Sequence, residues 1–172
     1  VSVLVLQKVG QETMATIRDA LNLALQHHQA GRFQEAEALY RQILQAEPNH
    51  ADALHLLGML FFQAGQPDAA IDFINQAIKR NPENATFYNN IGEAYRVLGK
   101  LDDAAASYRQ ALALRPTYAD PCMNLGIVLF AQSKLDEAVA HFRQAIACKP
   151  AWAEAYNNLG SVFAKQGALD EA

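Results

Sequence analysis

Asparagine side chains recur along this chain at places where they could hold another polypeptide. An asparagine amide both donates and accepts hydrogen bonds, so a row of amides can bind the backbone of an extended peptide without selecting its side chains. Four of these residues share one position of a repeated pattern, broken only at Leu56, and two more are their neighbours in the chain: Asn22, Asn90, Asn124 and Asn158, with Asn89 and Asn157 beside them. Alternatively, each amide bonds a neighbouring helix and stabilises the fold. The sequence leaves both interpretations open.

Histidines and cysteines are the other residues that could support chemistry. His27, His28 and His55 could gather near one junction, but no carboxylate or thiol stands at ligand spacing on the same helical turn, which favours solvated or packing roles over metal binding. Cys122 and Cys148 lie far apart without a CxxC pattern, so we predict two buried thiols in a reducing compartment. The sequence shows no phosphate loop, nucleophile elbow or paired-carboxylate cleft. We therefore predict no metal, no cofactor and no catalytic activity.

The composition narrows the class of partner. The chain has 172 residues, of which 51% are hydrophobic and 19% charged, with a net charge of -4. Its 14 Lys and Arg residues are scattered, whereas nucleic-acid binding needs a clustered positive face. No apolar run approaches the roughly 18 residues of a membrane span. We predict a soluble cytoplasmic protein that binds protein or peptide, not nucleic acid or membrane.

The elements that position these side chains follow from a strict period of 34 residues. Two sets of residues keep this interval: the prolines Pro48, Pro82, Pro116 and Pro150, and the glycines Gly58, Gly92, Gly126 and Gly160. Within each period, apolar residues at helical spacing are interrupted by one turn and then resume. Such a period predicts an all-α fold of stacked helical hairpins.

Small residues in this pattern allow close packing of the two helices of a hairpin. The glycines of the first helix and the alanines of the second allow the two helices to approach closely, and a larger residue fills the space between hairpins. The alanines are Ala36, Ala70, Ala104 and Ala138, and the larger residues are Tyr40, Ile74, Tyr108 and Phe142. Gly31, Gly65 and Gly99 supply the positive backbone angle that ends a helix, and Ser133 stands at the fourth such place.

The period divides the chain into segments. They are an N-terminal extension at 1–16, a degenerate first repeat at 17–50, full repeats at 51–84, 85–118 and 119–152, and a partial repeat at 153–172. Met14 would serve as a natural start, which leaves two interpretations of residues 1–13 open: a non-native segment or part of the native chain. We expect a truncated chain that ends inside the second helix of its last repeat, at Leu169–Ala172. The uncovered flank of Tyr156, Leu159 and Phe163 would then favour self-association into a homo-oligomer.

The repeat resembles a known family. The residues Tyr88, Ile91, Gly92, Tyr95, Ala104, Tyr108, Ala111 and Pro116 match the pattern of the tetratricopeptide repeat, which returns in segments 51–84 and 119–152. The resemblance implies a right-handed superhelical solenoid whose first helices line a concave groove for an extended peptide. Units that contain Asn124-Leu125-Gly126 and Asn158-Leu159-Gly160 also resemble the N-terminal superhelix of O-linked N-acetylglucosamine transferases and related bacterial multi-repeat proteins.

This resemblance allows one known binding mode to be tested by charge. Family members that bind chaperone tails hold a terminal carboxylate with Lys and Arg on the first helices. Here the comparable places carry Asp52, Thr86, Asp120 and Glu154, and then His55, Asn89, Met123 and Asn157, so a terminal carboxylate would be repelled. We predict an interaction module that binds an extended segment in an Asn-lined groove. The alternatives are the substrate-recruiting arm of a larger glycosyltransferase-like enzyme and a self-assembling scaffold.

Overall fold

The computed structural model describes residues 3–8 and 11–170, and it describes the side chains of residues 16–167. In this part of the chain, two strands precede nine helices. The elements are β1 (Val3–Lys8), β2 (Gln11–Thr16), α1 (Ile17–Gln29), α2 (Phe33–Ala46), α3 (Ala51–Gln63), α4 (Pro67–Arg80), α5 (Ala85–Val97), α6 (Leu101–Leu114), α7 (Ala119–Ala131), α8 (Leu135–Cys148) and α9 (Ala153–Asp170).

The N-terminal extension forms a β-hairpin, for which the repeat pattern gave no prediction. Strand β1 pairs antiparallel with β2, with Val3 opposite Thr16 and Lys8 opposite Gln11. Thr16 also begins the first helix: its Oγ1 accepts a hydrogen bond from the Asp19 backbone N–H at 3.2 Å, and the Asp19 carboxylate accepts from the Thr16 backbone at 3.1 Å. This reciprocal cap satisfies helix N–H groups that would otherwise lack partners. The hydrogen bonds from Thr16 also lower the pKa of Asp19.

Four helix pairs form the predicted hairpins, α1 with α2, α3 with α4, α5 with α6 and α7 with α8. Three of the turns contain a glycine in the left-handed region, at φ values of 73°, 75° and 71° for Gly31, Gly65 and Gly99. The fourth turn keeps the same geometry with a serine, since Ser133 has a φ of 59°. The turn is therefore retained even where the glycine is missing, at some cost in backbone strain.

The helices are distributed between two compact units. The N-terminal unit (Val1–Pro82) contains the β-hairpin and helices α1 to α4, in which α2 packs against α3. The C-terminal unit (Glu83–Ala172) contains α5 to α9, in which α6 packs against α7 and α8 packs against α9. Within each unit the hairpins pack in the order of the sequence, as expected for a repeat array.

The contact between the two helices of a hairpin confirms the steric prediction at three of the four glycines, whereas a Cβ on Gly160 would meet no atom of the described residues within 4 Å. A Cβ on Gly58 would lie 2.8 Å from the side chain of Ile74, one on Gly92 2.6 Å from Tyr108, and one on Gly126 2.7 Å from Phe142. The four repeated alanines of the second helices, Ala36, Ala70, Ala104 and Ala138, are completely buried. Only glycine permits these rings and chains to lie against the first helix.

Helix α9 differs from the first helices of the other repeats. It runs through Gly167 to Asp170 and has 18 residues, whereas α7 has 13. The repeat pattern predicts a second helix at Leu169, but the described residues continue the first helix through Asp170. Gly167 does not adopt the positive φ that ends the first helix at Gly31, Gly65 and Gly99, so no turn separates two helices here.

Candidate functional site

Three of the predicted asparagines occupy one position on three neighbouring helices. Asn90 lies on α5, Asn124 on α7 and Asn158 on α9, and the 34-residue period gives them the same place along each helix. Helix α7 contacts both α5 and α9, so the three side chains form a row across the C-terminal unit, which we call the amide row. Each of the three is half-buried. Each of these residues is therefore partly exposed to solvent.

A hydrogen-bonded cluster surrounds the first two members of the row. The Asn124 Nδ2 donates to the Asn89 Oδ1 at 3.3 Å and to the Glu93 Oε1 at 3.2 Å. The Asn89 Nδ2 donates to the Asn90 Oδ1 at 3.1 Å and to the Glu93 Oε1 at 3.5 Å. We call Asn89, Asn90, Glu93 and Asn124 the amide–carboxylate cluster. All hydrogen bonds of this cluster are between side chains, and those of Asn124 join α7 to α5.

Asn89 lies deeper than the sequence suggested. It is only 4% exposed, and both ends of its amide are used inside the protein. Its Nδ2 donates within α5 and its Oδ1 accepts from Asn124 on α7, which agrees with the stabilising interpretation of this residue. Met123 takes the same place in the next repeat and contacts Asn158, whose Nδ2 lies 3.9 Å from the Met123 Sδ. A thioether is a weak acceptor, so the Asn158 amide is less firmly held than that of Asn124.

The other predicted asparagines are exposed and separate. Asn157 lies on the surface of α9 beside the amide row, and Asn22 lies on the surface of α1 in the N-terminal unit. Leu56, at the break in the sequence pattern, belongs to α3 of the same N-terminal unit. The structure thus brings together Asn89, Asn90 and Asn124 by direct contacts, with Asn158 next along the row.

Glu93 belongs to this site although it is not among the residues predicted from the sequence. It is half-buried near the middle of α5, and both of its hydrogen bonds use Oε1. Among the described residues, Oε2 has no hydrogen-bond partner and the carboxylate forms no ion pair. The sequence does distinguish this position, because Glu93 is charged and the equivalent residues of the other full or partial repeats are uncharged. Those residues are Met59, Ile127 and Ser161.

Two buried polar groups lie near this carboxylate. The hydroxyl of Tyr108 and the Nε of Arg96 are both buried, and the Arg96 side chain interacts with the Tyr108 hydroxyl. Burial raises the pKa of Tyr108, and the negative charge of Glu93 raises it further. Arg96 follows Glu93 by one helical turn without pairing with it. The surroundings of Glu93 are thus polar, and its charge is not neutralised by an ion pair within the described part of the chain.

The histidines proposed as weak metal candidates have other contacts. His28 is buried, with its Nδ1 3.2 Å from the Tyr40 hydroxyl and its Nε2 3.0 Å from the Gln63 Oε1. His55 is buried on α3, and this burial lowers its pKa to about 4. Across the described residues, no three His, Cys, Asp or Glu side chains come close enough to hold a metal ion.

The two cysteines differ in exposure. Cys122 is buried in α7, as predicted, and burial raises the pKa of its thiol to about 12. The prediction for Cys148 is wrong, because this residue is exposed. It is the last residue of α8, beyond Ala145, which is the final buried position of that helix. None of the described helices has both the length and the apolar character needed to cross a bilayer.

Comparison with protein families gives matches along most of the chain. Residues 27–91 match a family model described as tetratricopeptide repeat, and residues 92–133 and 126–167 match one described as TPR repeat. No curated protein matches the chain. The family matches cover the described repeats and do not specifically support a relationship to the O-linked N-acetylglucosamine transferases.

Solved structures with the same fold include several proteins of this type. The crystal structure of MamA protein has a TM-score of 0.80 and 26% identity, and the match covers 90% of this chain and 85% of that one. The first TPR of Spaghetti (RPAP3), bound to the HSP90 peptide SRMEEVD, has a TM-score of 0.67 and 28% identity over 68% of this chain and 93% of that one.

A third structure, YrrB, is described as a TPR protein with an unusual peptide-binding site. It has a TM-score of 0.74 and 22% identity over 86% of this chain and 76% of that one. At this identity the likeness shows the fold alone. The helix pairs, their turns and the family matches agree, and the coarse role that they support is a protein-interaction module. This chain belongs to the tetratricopeptide repeat family.

Proposed function

We propose that the C-terminal unit binds an extended segment of another protein across the face formed by α5, α7 and α9. The observation that carries this proposal is the amide row, in which Asn90, Asn124 and Asn158 stand half-exposed at one level of three neighbouring helices. Amides spaced by a helical repeat can donate to the carbonyls and accept from the N–H groups of an extended backbone.

The members of the row would contribute unequally. Asn124 uses its Nδ2 inside the protein, so its carbonyl oxygen is the atom available to a ligand N–H. Asn158 makes only a weak sulfur contact and could turn both ends of its amide to the ligand. Each net hydrogen bond stabilises a complex by about 1 kcal/mol, so the affinity would be moderate. Firm packing of the helices reduces the entropy lost on binding.

Related structures support a peptide as the ligand, and the charges of this chain indicate which peptides it would not bind. The Spaghetti domain is bound to the peptide SRMEEVD, which contains three acidic residues, and YrrB is described as having a peptide-binding site. In the C-terminal unit, Asp120 and Glu154 are exposed in the first turns of α7 and α9. These carboxylates would repel an acidic tail. We therefore expect a segment that is not acidic where it crosses these helices.

The experiment replaces Asn158 by Ala and compares the binding of an array of uncharged peptides with that of the original protein. Capture of the peptides should weaken by several-fold, since about one hydrogen bond is lost. Asn75→Ala, on α4 in the N-terminal unit, is the matched control and should bind normally. Circular dichroism should show unchanged helix content for both variants. Equal binding by Asn158→Ala and the control would contradict the proposal.

A second candidate function is self-association through α9. Tyr156 is 52% exposed and Phe163 is 46% exposed on this helix, and Leu159 is half-buried beside them. Exposed aromatic residues on one helix favour contact with another copy. Sedimentation velocity over a wide concentration range would test this, with Tyr156→Ser combined with Phe163→Ser as the variant. A monomer at all concentrations in the unchanged protein would contradict self-association.

A further inference from the structure

Glu93 places a negative charge within the proposed peptide-binding face. Its Oε1 is fixed by the amides of Asn89 and Asn124, which come from two different helices. This leaves Oε2 without a partner among the described residues. The carboxylate is half-buried and has no ion pair in the described part of the protein. A partly desolvated carboxylate in this state gains more from an incoming cation than one in open solvent does.

The groups around Glu93 also favour a cationic partner for its carboxylate. The charges of Glu93 and Arg96 both act on the hydroxyl of Tyr108, and the Arg96 side chain also bonds it, so the three groups lie close together. Tyr108 is completely buried, whereas Glu93 is only half-buried. The carboxylate is therefore the member of this group that a cationic ligand can reach, and its partly desolvated charge favours such a partner.

Arg96 and Lys165 do not fill this position. Arg96 lies on the same helix as Glu93, one turn further on, and its Nε is buried without a hydrogen bond. Lys165, on α9, donates to the Ser133 hydroxyl at 3.2 Å and lies over the ring of Phe130. Neither side chain pairs with the carboxylate.

We propose that Glu93 is the specificity-determining residue of this face and binds the Lys or Arg side chain of the ligand segment. This inference rests on the proposed peptide-binding function and adds the chemistry of the segment. The amide row can hold a backbone in several registers, because its members are alike. A single carboxylate at a position that is uncharged in the other repeats selects one register. The exposed Asp120 and Glu154 add a field of the same sign.

The test uses three synthetic peptides with blocked ends and an otherwise uncharged Ser/Ala sequence, which differ only in a central Lys, Gln or Glu. Their affinities are measured by fluorescence anisotropy at low salt. The Lys peptide should bind roughly tenfold tighter than the Gln peptide, and the Glu peptide should bind weakest. Glu93→Gln keeps an oxygen for the two asparagine donors and should reduce the preference for Lys to about twofold or less.

Two further variants separate the local effect from general charge. Glu137→Gln removes one exposed carboxylate from α8, where Glu137 pairs with Arg109, and should leave the preference for Lys unchanged. Arg96→Gln leaves the carboxylate in place and removes the neighbouring cation, so it should tighten binding of the Lys peptide by several-fold. Melting curves confirm that each variant is folded.

The possible results have distinct meanings. If the unchanged protein binds all three peptides equally, the role of Glu93 is wrong while the peptide-binding function stands. If Glu93→Gln keeps the full preference for Lys, or Glu137→Gln loses it as strongly, the preference does not come from Glu93. If no peptide binds, the proposed function fails and this inference fails with it.

Discussion

The ring of Tyr108 on α6 lies directly against Gly92 on α5. A Cβ at Gly92 would lie 2.6 Å from the Tyr108 Cε1 and 2.8 Å from its Cδ1. The ring is completely buried and cannot move aside without disturbing its neighbours. The hairpin α5–α6 therefore depends on the absence of a side chain at residue 92.

Gly92→Ala should lower the free energy of unfolding by about 1–3 kcal/mol because it overpacks this contact. Gly160→Ala is the matched control, since a Cβ there meets no atom within 4 Å. Ala is a better helix former than Gly, so this second change should stabilise α9 by about 0.5–1 kcal/mol. Urea denaturation followed by circular dichroism measures both. Equal effects of the two changes would contradict the close contact.

Asn124→Ala should cost more stability than Asn158→Ala. The Asn124 amide bonds both Asn89 and Glu93, and its removal leaves their oxygens short of donors inside a half-buried cluster. We expect a loss of about 1–3 kcal/mol for Asn124→Ala and less than about 0.5 kcal/mol for Asn158→Ala. Thermal denaturation of the two variants gives the comparison. If Asn158→Ala proves as damaging, its contact with Met123 is more important than the structure indicates.

Replacing Ser133 by Gly should stabilise the hairpin α7–α8. The serine holds a φ of 59°, which costs a residue with a Cβ about 1 kcal/mol and costs glycine little. The variant loses an exposed hydrogen bond from Lys165, so we expect a net gain of about 0.5 kcal/mol. A rise in melting temperature would support this. The reverse change at Gly99, Gly99→Ser, should lower the melting temperature, and it provides the control.

Stability should decrease in mild acid because of His55. Its pKa is about 4 in the folded protein, against 6.5 for the free side chain. The unfolded chain therefore binds the proton more readily, and stability is lost as the pH falls from about 6.5 toward about 4. The loss approaches about 3 kcal/mol. His55→Asn introduces the residue type found at the equivalent Asn89, and this variant should show a weaker pH dependence between those values in urea denaturation.

The thiols should differ in reactivity. Cys148 is exposed and should react with iodoacetamide in the folded protein, whereas Cys122 is buried with a pKa of about 12 and should react only after unfolding. Peptide mass spectrometry after a short reaction at neutral pH identifies the modified residue. Modification of Cys122 under native conditions would show that this hairpin opens readily.

Much of the fold could be predicted from the sequence, because each repeated residue meets a local structural requirement that recurs in every hairpin. Gly65 is needed where the backbone turns left-handed, Gly126 where a ring approaches, and Pro116 shortly after a helix ends, so their common spacing identifies the hairpins. The turn at Ser133 shows that packing of the two helices determines the geometry even when the residue type is less favourable.

The candidate site was only partly predictable. The spacing places Asn90, Asn124 and Asn158 at one level of the first helices of successive repeats. It does not determine which side chains of neighbouring first helices come into contact. The bonds from Asn124 to Glu93 and Asn89 depend on the angle and distance between α5 and α7, which no local pattern specifies. The exposure of Cys148 at the end of α8 depends on the same kind of detail.

Each hairpin of this chain carries its own turn and its own small-residue contact, so each contains most of what it needs to form. A gene that copied or lost one whole hairpin, such as α7 with α8, would change the length of the protein by one period without altering the structure inside the others. Binding surfaces of this kind can therefore be lengthened or shortened in evolution by duplication and deletion, and engineered in the same way.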